Sequence, residues 1–305
     1  MQLEMSEPLV SVVMGVHNGG NKLEDTLNSV LNQQGVDLEL IVIDDGSDDN
    51  TFDILNEVAK RDNRLHFMSR EKKGLTISLI EGCSIAKGKF IARQDANDIS
   101  LPGRLKNQAK ALLNSKDISL CSTHVRFVTE EGVTALTACT DIKENAGGLK
   151  GIIHGSTMIS RKHYEAVGGY RKSFYYAQDV DLWSRLLESG RHVIIPEIYY
   201  EALLFSNSIS GSRKKEQERF FSYILSATKS RQEGQSEEVW LKKAERYSEK
   251  CKTSKSSPRK VANGAYFIGA CLCQQNPSLA KKYFGLAIKN DPTHLRARIK
   301  LATLR

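Results

Sequence analysis

Two acidic runs carry the chemistry of this chain: Asp44 and Asp45 close the apolar run Ile41–Ile43, and Asp95 and Asp98 follow Ile91–Arg93. If both apolar runs are strands of one parallel sheet, their carboxyl ends open on the same edge and the four carboxylates gather in one crevice. At about 4 Å and an effective dielectric of roughly 20, two carboxylates repel by about 4 kcal/mol, so a divalent cation or a basic ligand belongs between them. That is the outline of a nucleotide–metal site. Further along, Asp179 and Asp181 stand at the start of a helical period, where Asp179 serves equally as a functional acid or as an N-cap. His154-Gly155-Ser156 pairs an imidazole with a glycine that lets a ligand approach the backbone, although a lone histidine is more often a packing residue. Arg70 and Lys73 face either a nucleotide or solvent. The run Ser208–Arg213 has the composition of a mobile loop, with Arg213 as a phosphate partner.

These side chains need a scaffold, and hydrophobic periodicity supplies one. Val10–Val16, Leu38–Asp44, Leu65–Met68 and Lys89–Arg93 are apolar, β-branched runs that predict strands. Between them, 22–34, 51–60 and 75–86 repeat apolar residues at helical spacing, and Pro102 introduces a further helix carrying Leu105, Ala109 and Leu112. Four strand–helix units in succession argue for a doubly wound, mostly parallel α/β sheet with helices on both faces. After a strand at 118–128 the alternation fades through a glycine-rich stretch. Strands at 151–160, 192–196 and 198–205 and helices at 161–167 and 181–189 are expected beyond it. The remainder forms a C-terminal helical appendage, with a linker at 251–260. Its last part spaces Ala280, Phe284, Ala287 and Pro292 like a tetratricopeptide repeat, but a single repeat cannot bury its own face, so a docked helical hairpin is the stronger reading.

Charge is uneven. From residue 211 onward there are 21 Lys and Arg against 8 Asp and Glu, which leaves 23 against 28 for the first 210 residues. A basic tail thus follows an acidic body, either as solvated helix faces or as a means of reaching an anionic membrane surface or acceptor. No recognition motif for nucleic acid accompanies it. The apolar runs fall short of the ~18 residues a membrane span needs, and Glu4 and Glu7 stand where a secretory leader would be basic, so a cytoplasmic protein, compatible with peripheral contact at the inner membrane face, is expected. The six cysteines lack metal-ligand spacing and suit reduced core thiols. A dehydrogenase or P-loop reading lacks its glycine fingerprint, and a nucleotidyltransferase would want a basic phosphate loop where GVHNGGN stands.

Taken in order, VSVVMGVHN, VLNQQ, IVIDDGSDD, QDAND and AQDVDLWSRL resemble the family 2 glycosyltransferases of GT-A fold over roughly residues 8–210. The resemblance implies inverting transfer of a sugar from a nucleoside diphosphate donor, a UDP-sugar by preference, to a hydroxyl of a glycan or lipid-linked acceptor, aided by Mg²⁺ or Mn²⁺. It implies a nucleotide-sugar-binding half at 1–125, an acceptor-binding half at 126–212 and a basic helical region at 213–305. By the same resemblance Asp45 receives the pyrimidine base beside Val16, His17 and Asn18, with Arg70 close by. Asp95 approaches the ribose and metal, and Asp179 is the general base. His154, Gly155 and Trp183 contact acceptor or donor sugar. The family's last metal-binding Asp is replaced here by Asn97, an oxygen ligand without charge, so Asp98 is a candidate substitute. That replacement also keeps open a non-catalytic nucleotide-sugar-binding scaffold that recruits partners through its basic tail.

Overall fold

In the computed structural model, which describes residues 7–138, 149, 151–206, 213–253 and 257–304, the first apolar runs become the centre of a single sheet. Strands β1 (Val10–Val16), β2 (Leu38–Asp45), β3 (Leu65–Arg70) and β4 (Phe90–Arg93) pair in parallel in the order β3-β2-β1-β4. Helices α1 (Leu23–Leu31), α2 (Thr51–Arg61) and α3 (Leu75–Ile85) are the crossovers. Strands β1 and β2 are buried on both faces, which is why they read as continuous apolar runs. Alternate residues serve opposite layers. Val12, Met14, Leu40 and Val42 pack with Leu27, Leu55 and Leu105, whereas Val13, Ile41 and Ile43 pack with Leu79, Leu182 and Leu186.

Beyond β4 the sheet becomes mixed. A short β5 (Ile99–Ser100) and helix α4 (Arg104–Asn114) lead to β6 (Ile118–Thr129) and its hairpin partner β7 (Thr134–Ala138). Strand β8 (Met158–Ser160) runs antiparallel to β4 and β6; helices α5 (Arg161–Ala166) and α6 (Gln178–Ser189) follow, and β9 (Arg191–Leu204) runs parallel to β6. Two expectations change here. The strand expected over 151–160 begins as a 3-10 turn at His154–Ser156 and is extended only from Met158. The two late strands are one, because β9 passes Pro196 as a bulge: Thr123 pairs with Ile195 and His124 with Ile198.

The C-terminal region is helical, as expected. Helices α7 (Lys214–Gln232) and α8 (Glu238–Lys252) bury Phe220, Ile224 and Ala244 against Phe174 and Tyr176. Helices α9 (Pro258–Leu272), α10 (Pro277–Asn290) and α11 (Leu295–Thr303) enclose a separate core with Ala135 and Leu204. The α9–α10 pair is therefore a hairpin docked on the β7 and β9 side of the sheet. Gly264 permits this approach, since a Cβ there would overlap the carbonyl of Ser206. Among the described residues no helix is long and apolar enough to cross a membrane. Cys83, Cys121, Cys251, Cys271 and Cys273 are free, and Cys139 lies outside the described residues.

Candidate active site

Strand order reverses at β1, with β2 and β3 on one side and β4 on the other, so the loops leaving β1, β2 and β4 border one crevice. The first two loops are laced together. Asn18, in a left-handed conformation (φ 55°), donates its backbone N–H to Ser47 Oγ (2.9 Å) and its amide to Asp48 Oδ1 (2.7 Å), and the Gly19 N–H reaches Thr51 Oγ1 (2.8 Å). Val16 is buried beneath them, while His17 is exposed with Nε2 at 2.6 Å from Lys72 Nζ.

The four carboxylates expected in that crevice do not gather there. Asp44 and Asp45 are consecutive residues of a strand and point to opposite faces. Asp44 turns toward the β2–α2 loop and accepts from Ser47 Oγ and Ser69 Oγ, both at 2.6 Å. Asp45 turns toward α3, where it accepts from the N–H groups of Lys73 (2.7 Å) and Gly74 (2.9 Å) and pairs with Arg70. Arg70 is held in turn by Glu81 and Ser78 Oγ. Asp98 is buried and accepts the Leu203 N–H at 2.8 Å. Burial pushes its carboxyl well up, and the charge of Asp95 adds to the effect. Asp98 therefore ties the acidic motif to β9.

Asp95 is the acid of that motif left at the surface, with its side chain 37 % exposed. Beneath it lies Arg93, the last residue of β4, whose side chain is completely buried and donates to Asp95, to Val13 O (3.0 Å) and to His154 Nε2 (3.2 Å). The Asp95 N–H donates to Tyr200 Oη at 3.0 Å. Asp179 comes to the same place from the first turn of α6, entered through the left-handed Ala177 (φ 58°), and accepts the Val180 N–H at 2.9 Å. Burial foremost, with the charge of Asp95 added, pushes its carboxyl up to about 6 against the opposing pull of the Val180 N–H and Arg93. Arg93 is thus ion-paired with Asp95, and its charge also acts on the buried Asp179 carboxyl.

Packing surrounds the residues expected at the sugar, His154, Gly155 and Trp183. Trp183 is 1 % exposed and belongs to the core between the sheet and α6. A Cβ on Gly155 would overlap Tyr200 Oη, so it is this tyrosine that comes close to the backbone. His154 Nε2 lies 2.6 Å from Tyr170 Oη, and burial, followed by the charge of Arg93, drives its pKa well down, so the ring is neutral. These residues form the wall behind Arg93. Arg213 stands at the start of α7, 5.9 Å over the Tyr176 ring and 3.3 Å from Glu216 Oε1; Ser208–Ser212 lie outside the described residues. Tyr175 links the two parts of the crevice: it packs on Gly74, and burial, then Asp45, raise its hydroxyl pKa while Arg213 opposes them.

Arg93, Arg104 and Tyr200 were not singled out in the sequence, yet they hold the acidic motif. Arg104, fully buried in α4, donates to the carbonyls of Arg93 and Gly155, both at 2.7 Å, and lies 4.7 Å over Tyr200. Burial lowers its pKa to about 10. The available signal was a charged residue inside each apolar pattern, at a strand end and in a first helical turn.

Oxygen donors for a hard cation are present at this motif. Asn97 holds a left-handed conformation (φ 71°), and its Oδ1 is buried without a partner, two residues from the Asp95 carboxylate. Among the described residues no group of three His, Cys, Asp or Glu accompanies them. The pair therefore fits an ion such as Mg²⁺ or Mn²⁺ that draws its other ligands from phosphate and water.

Comparison with known proteins gives the family and the fold. The model of Glycosyl transferase family 2 matches residues 11–167. The protein named glycosyltransferase EpsE of Bacillus subtilis is 33% identical over 191 residues, covering 61% of this chain and 69% of its own. A glycosyltransferase of Methanocaldococcus jannaschii is 31% identical over 236 residues, covering 73% and 80%. Among solved structures, S. aureus TarS in complex with UDP-GlcNAc superposes with a TM-score of 0.54 at 14% identity over 96% of this chain and 78% of its own. The mannosyltransferase PcManGT of Pyrobaculum calidifontis, in complex with GDP-Man and Mn²⁺, gives 0.55 at 18% identity over 98% and 80%. At those identities the superpositions establish the fold.

Proposed function

This chain belongs to glycosyl transferase family 2 and is a transferase, and we propose that it moves a sugar from a nucleoside diphosphate donor, a UDP-sugar in the first instance, to a hydroxyl of a glycan or lipid-linked acceptor with inversion. The carrying observation is the pair of Asp95 with buried Arg93, the charges of both acting on the buried Asp179 carboxyl, which supports a donor-side and an acceptor-side acid in one crevice.

Inversion requires a base on the face of the sugar opposite the leaving diphosphate. Asp179 fits that task. A carboxylate pushed up to about 6 is still ionised at neutral pH and holds a proton better than an ordinary Asp. In this reading an Asp179 carboxylate oxygen takes the acceptor hydroxyl's proton as the new glycosidic bond forms. The nucleotide lies along the β1 and β2 loops, with Val16, His17 and Asn18 on one side. Asp45 already accepts from three donors, and a carboxylate has about four acceptor sites, so one remains for a base N–H. Arg70 fixes Asp45 rather than reaching the ligand itself. Asp95 and Asn97 would hold the divalent ion, which when bound supplies Lewis-acid stabilisation of the charge that develops on the departing diphosphate. Arg213, at the far side of Tyr176, is the nearest cation of α7 for the phosphates.

Calorimetry with UDP and Mn²⁺, followed by a donor-sugar hydrolysis assay, tests this directly. Nucleotide binding strengthened by the metal, with turnover, is the expected result. Binding without turnover, unchanged by Asp179→Asn, would instead describe a nucleotide-sugar-binding scaffold.

A further inference from the structure

Away from the crevice, a cleft of about 1400 Å³ lies between α7, α8, α9 and α11, and nothing in the transfer chemistry uses it. It exceeds the roughly 300–1,000 Å³ of a small-molecule pocket, so its shape suits an elongated ligand. Six Lys and Arg line it against three Asp and Glu. Lys260 is paired with Glu216 (2.8 Å) and Arg259 with Asp291 (3.8 Å). Lys214, Lys215, Lys250 and Arg296 have no ion pair among the described residues, and all four are exposed. Between these cations the wall is apolar: Phe267 is 45 % and Leu295 67 % exposed, and the Tyr266 and His294 rings lie 5.1 Å apart.

We infer that this cleft binds an anionic glycan chain, the acceptor or its already extended part, while the reacting end lies at Asp179; the inference rests on the proposed transfer reaction. Cations alternating with exposed aromatic and aliphatic surface match a polymer whose sugar rings have apolar faces and whose substituents are carboxylate or phosphate. A membrane surface would select a convex, outward helix face rather than a concavity. The location also fits. Lys214, in the lining of the cleft, follows Arg213, which lies over Tyr176, and α6 with Asp179 begins two residues after that tyrosine.

The test uses the whole protein, with oligogalacturonate as anionic probe, maltodextrin as neutral control, phosphatidylglycerol vesicles, and UDP measured in the same samples. Oligogalacturonate is expected to bind, more weakly as salt rises, with maltodextrin far weaker. Changing Lys214, Lys215 and Lys250 together to Glu should weaken that binding by roughly tenfold, the size of about three screened ion pairs, while UDP affinity stays the same. Phe267→Ala should weaken it without altering its salt dependence. Equal affinity for maltodextrin, or an unaffected triple variant, would overturn the inference. So would vesicle binding that the triple variant loses while oligogalacturonate binding persists. Failure of UDP to bind the unaltered protein would tell against the transfer reading instead, which separates the two.

Discussion

At the scale of single residues, the site depends on what stands beside each acid. Asp95 pairs with Arg93 and Asp179 accepts from the Val180 N–H, whereas Asp44, Asp45 and Asp98 are held by hydroxyls, backbone N–H groups and Arg70. Asn97→Asp adds a charge where a neutral oxygen now lies buried, and the metal-activation curve should move to lower Mn²⁺ concentration; an active but metal-indifferent variant would remove Asn97 from the ion. Tyr200→Phe leaves the Asp95 N–H without its acceptor at a buried position, which should cost about 1–3 kcal/mol in urea denaturation and lower kcat/KM through a displaced Asp95. Asp95 and Asp179 stand out in the sequence because acids at strand ends and helix starts are conspicuous, and Asn97 because it stands where the family resemblance puts an acid. The burial of Trp183 and Gly155 is not legible there, because exposure is a property of packing, and a tryptophan on an amphipathic helix reads the same whether its partner is a sugar or a sheet.

The elements explain why the residues converge, and here periodicity served well where burial was one-sided or complete. Strands β1 to β4 and helices α1 to α4 fall within a few residues of expectation, because each is bounded by glycine, proline or a polar turn. The failures came where register is set by a distant partner. Pro196 looked like a strand end but is a bulge opposite Thr123 and His124, and the 3-10 turn at His154–Ser156 exists because Tyr200 and Arg104 grip it. The docked hairpin was expected, but the close contact of Gly264 with Ser206 that seats it was equally invisible. Gly264→Ala should push α9 from Ser206 and cost roughly 1–3 kcal/mol, the usual penalty of overpacking. Hydrogen exchange should then quicken in α9 and α10 while β1 and β2 stay protected; uniform protection throughout would contradict the contact.

Across the whole molecule, a basic helical region follows an acidic α/β body, and in the proposed reaction that asymmetry would draw an anionic acceptor toward the helical side. The composition disclosed the asymmetry, but only the fold reveals a cleft between α7, α8, α9 and α11. Asp179 also links chemistry to stability. A carboxyl raised in the folded state binds its proton more tightly there than in the unfolded chain, so its ionisation costs stability above about pH 6, and the cost disappears below the ordinary Asp range. Asp179→Asn should therefore melt higher than the parent at pH 8 and match it near pH 4. The most direct test of the central claim is the pH dependence of kcat/KM for sugar transfer in the parent and in Asp179→Asn. The parent should lose activity as pH falls through about 6, where the base becomes protonated, and the variant should be about 10²–10⁴-fold slower with that limb gone and UDP affinity kept. An acid limb that persists unchanged in Asp179→Asn, or a variant as fast as the parent, would contradict it.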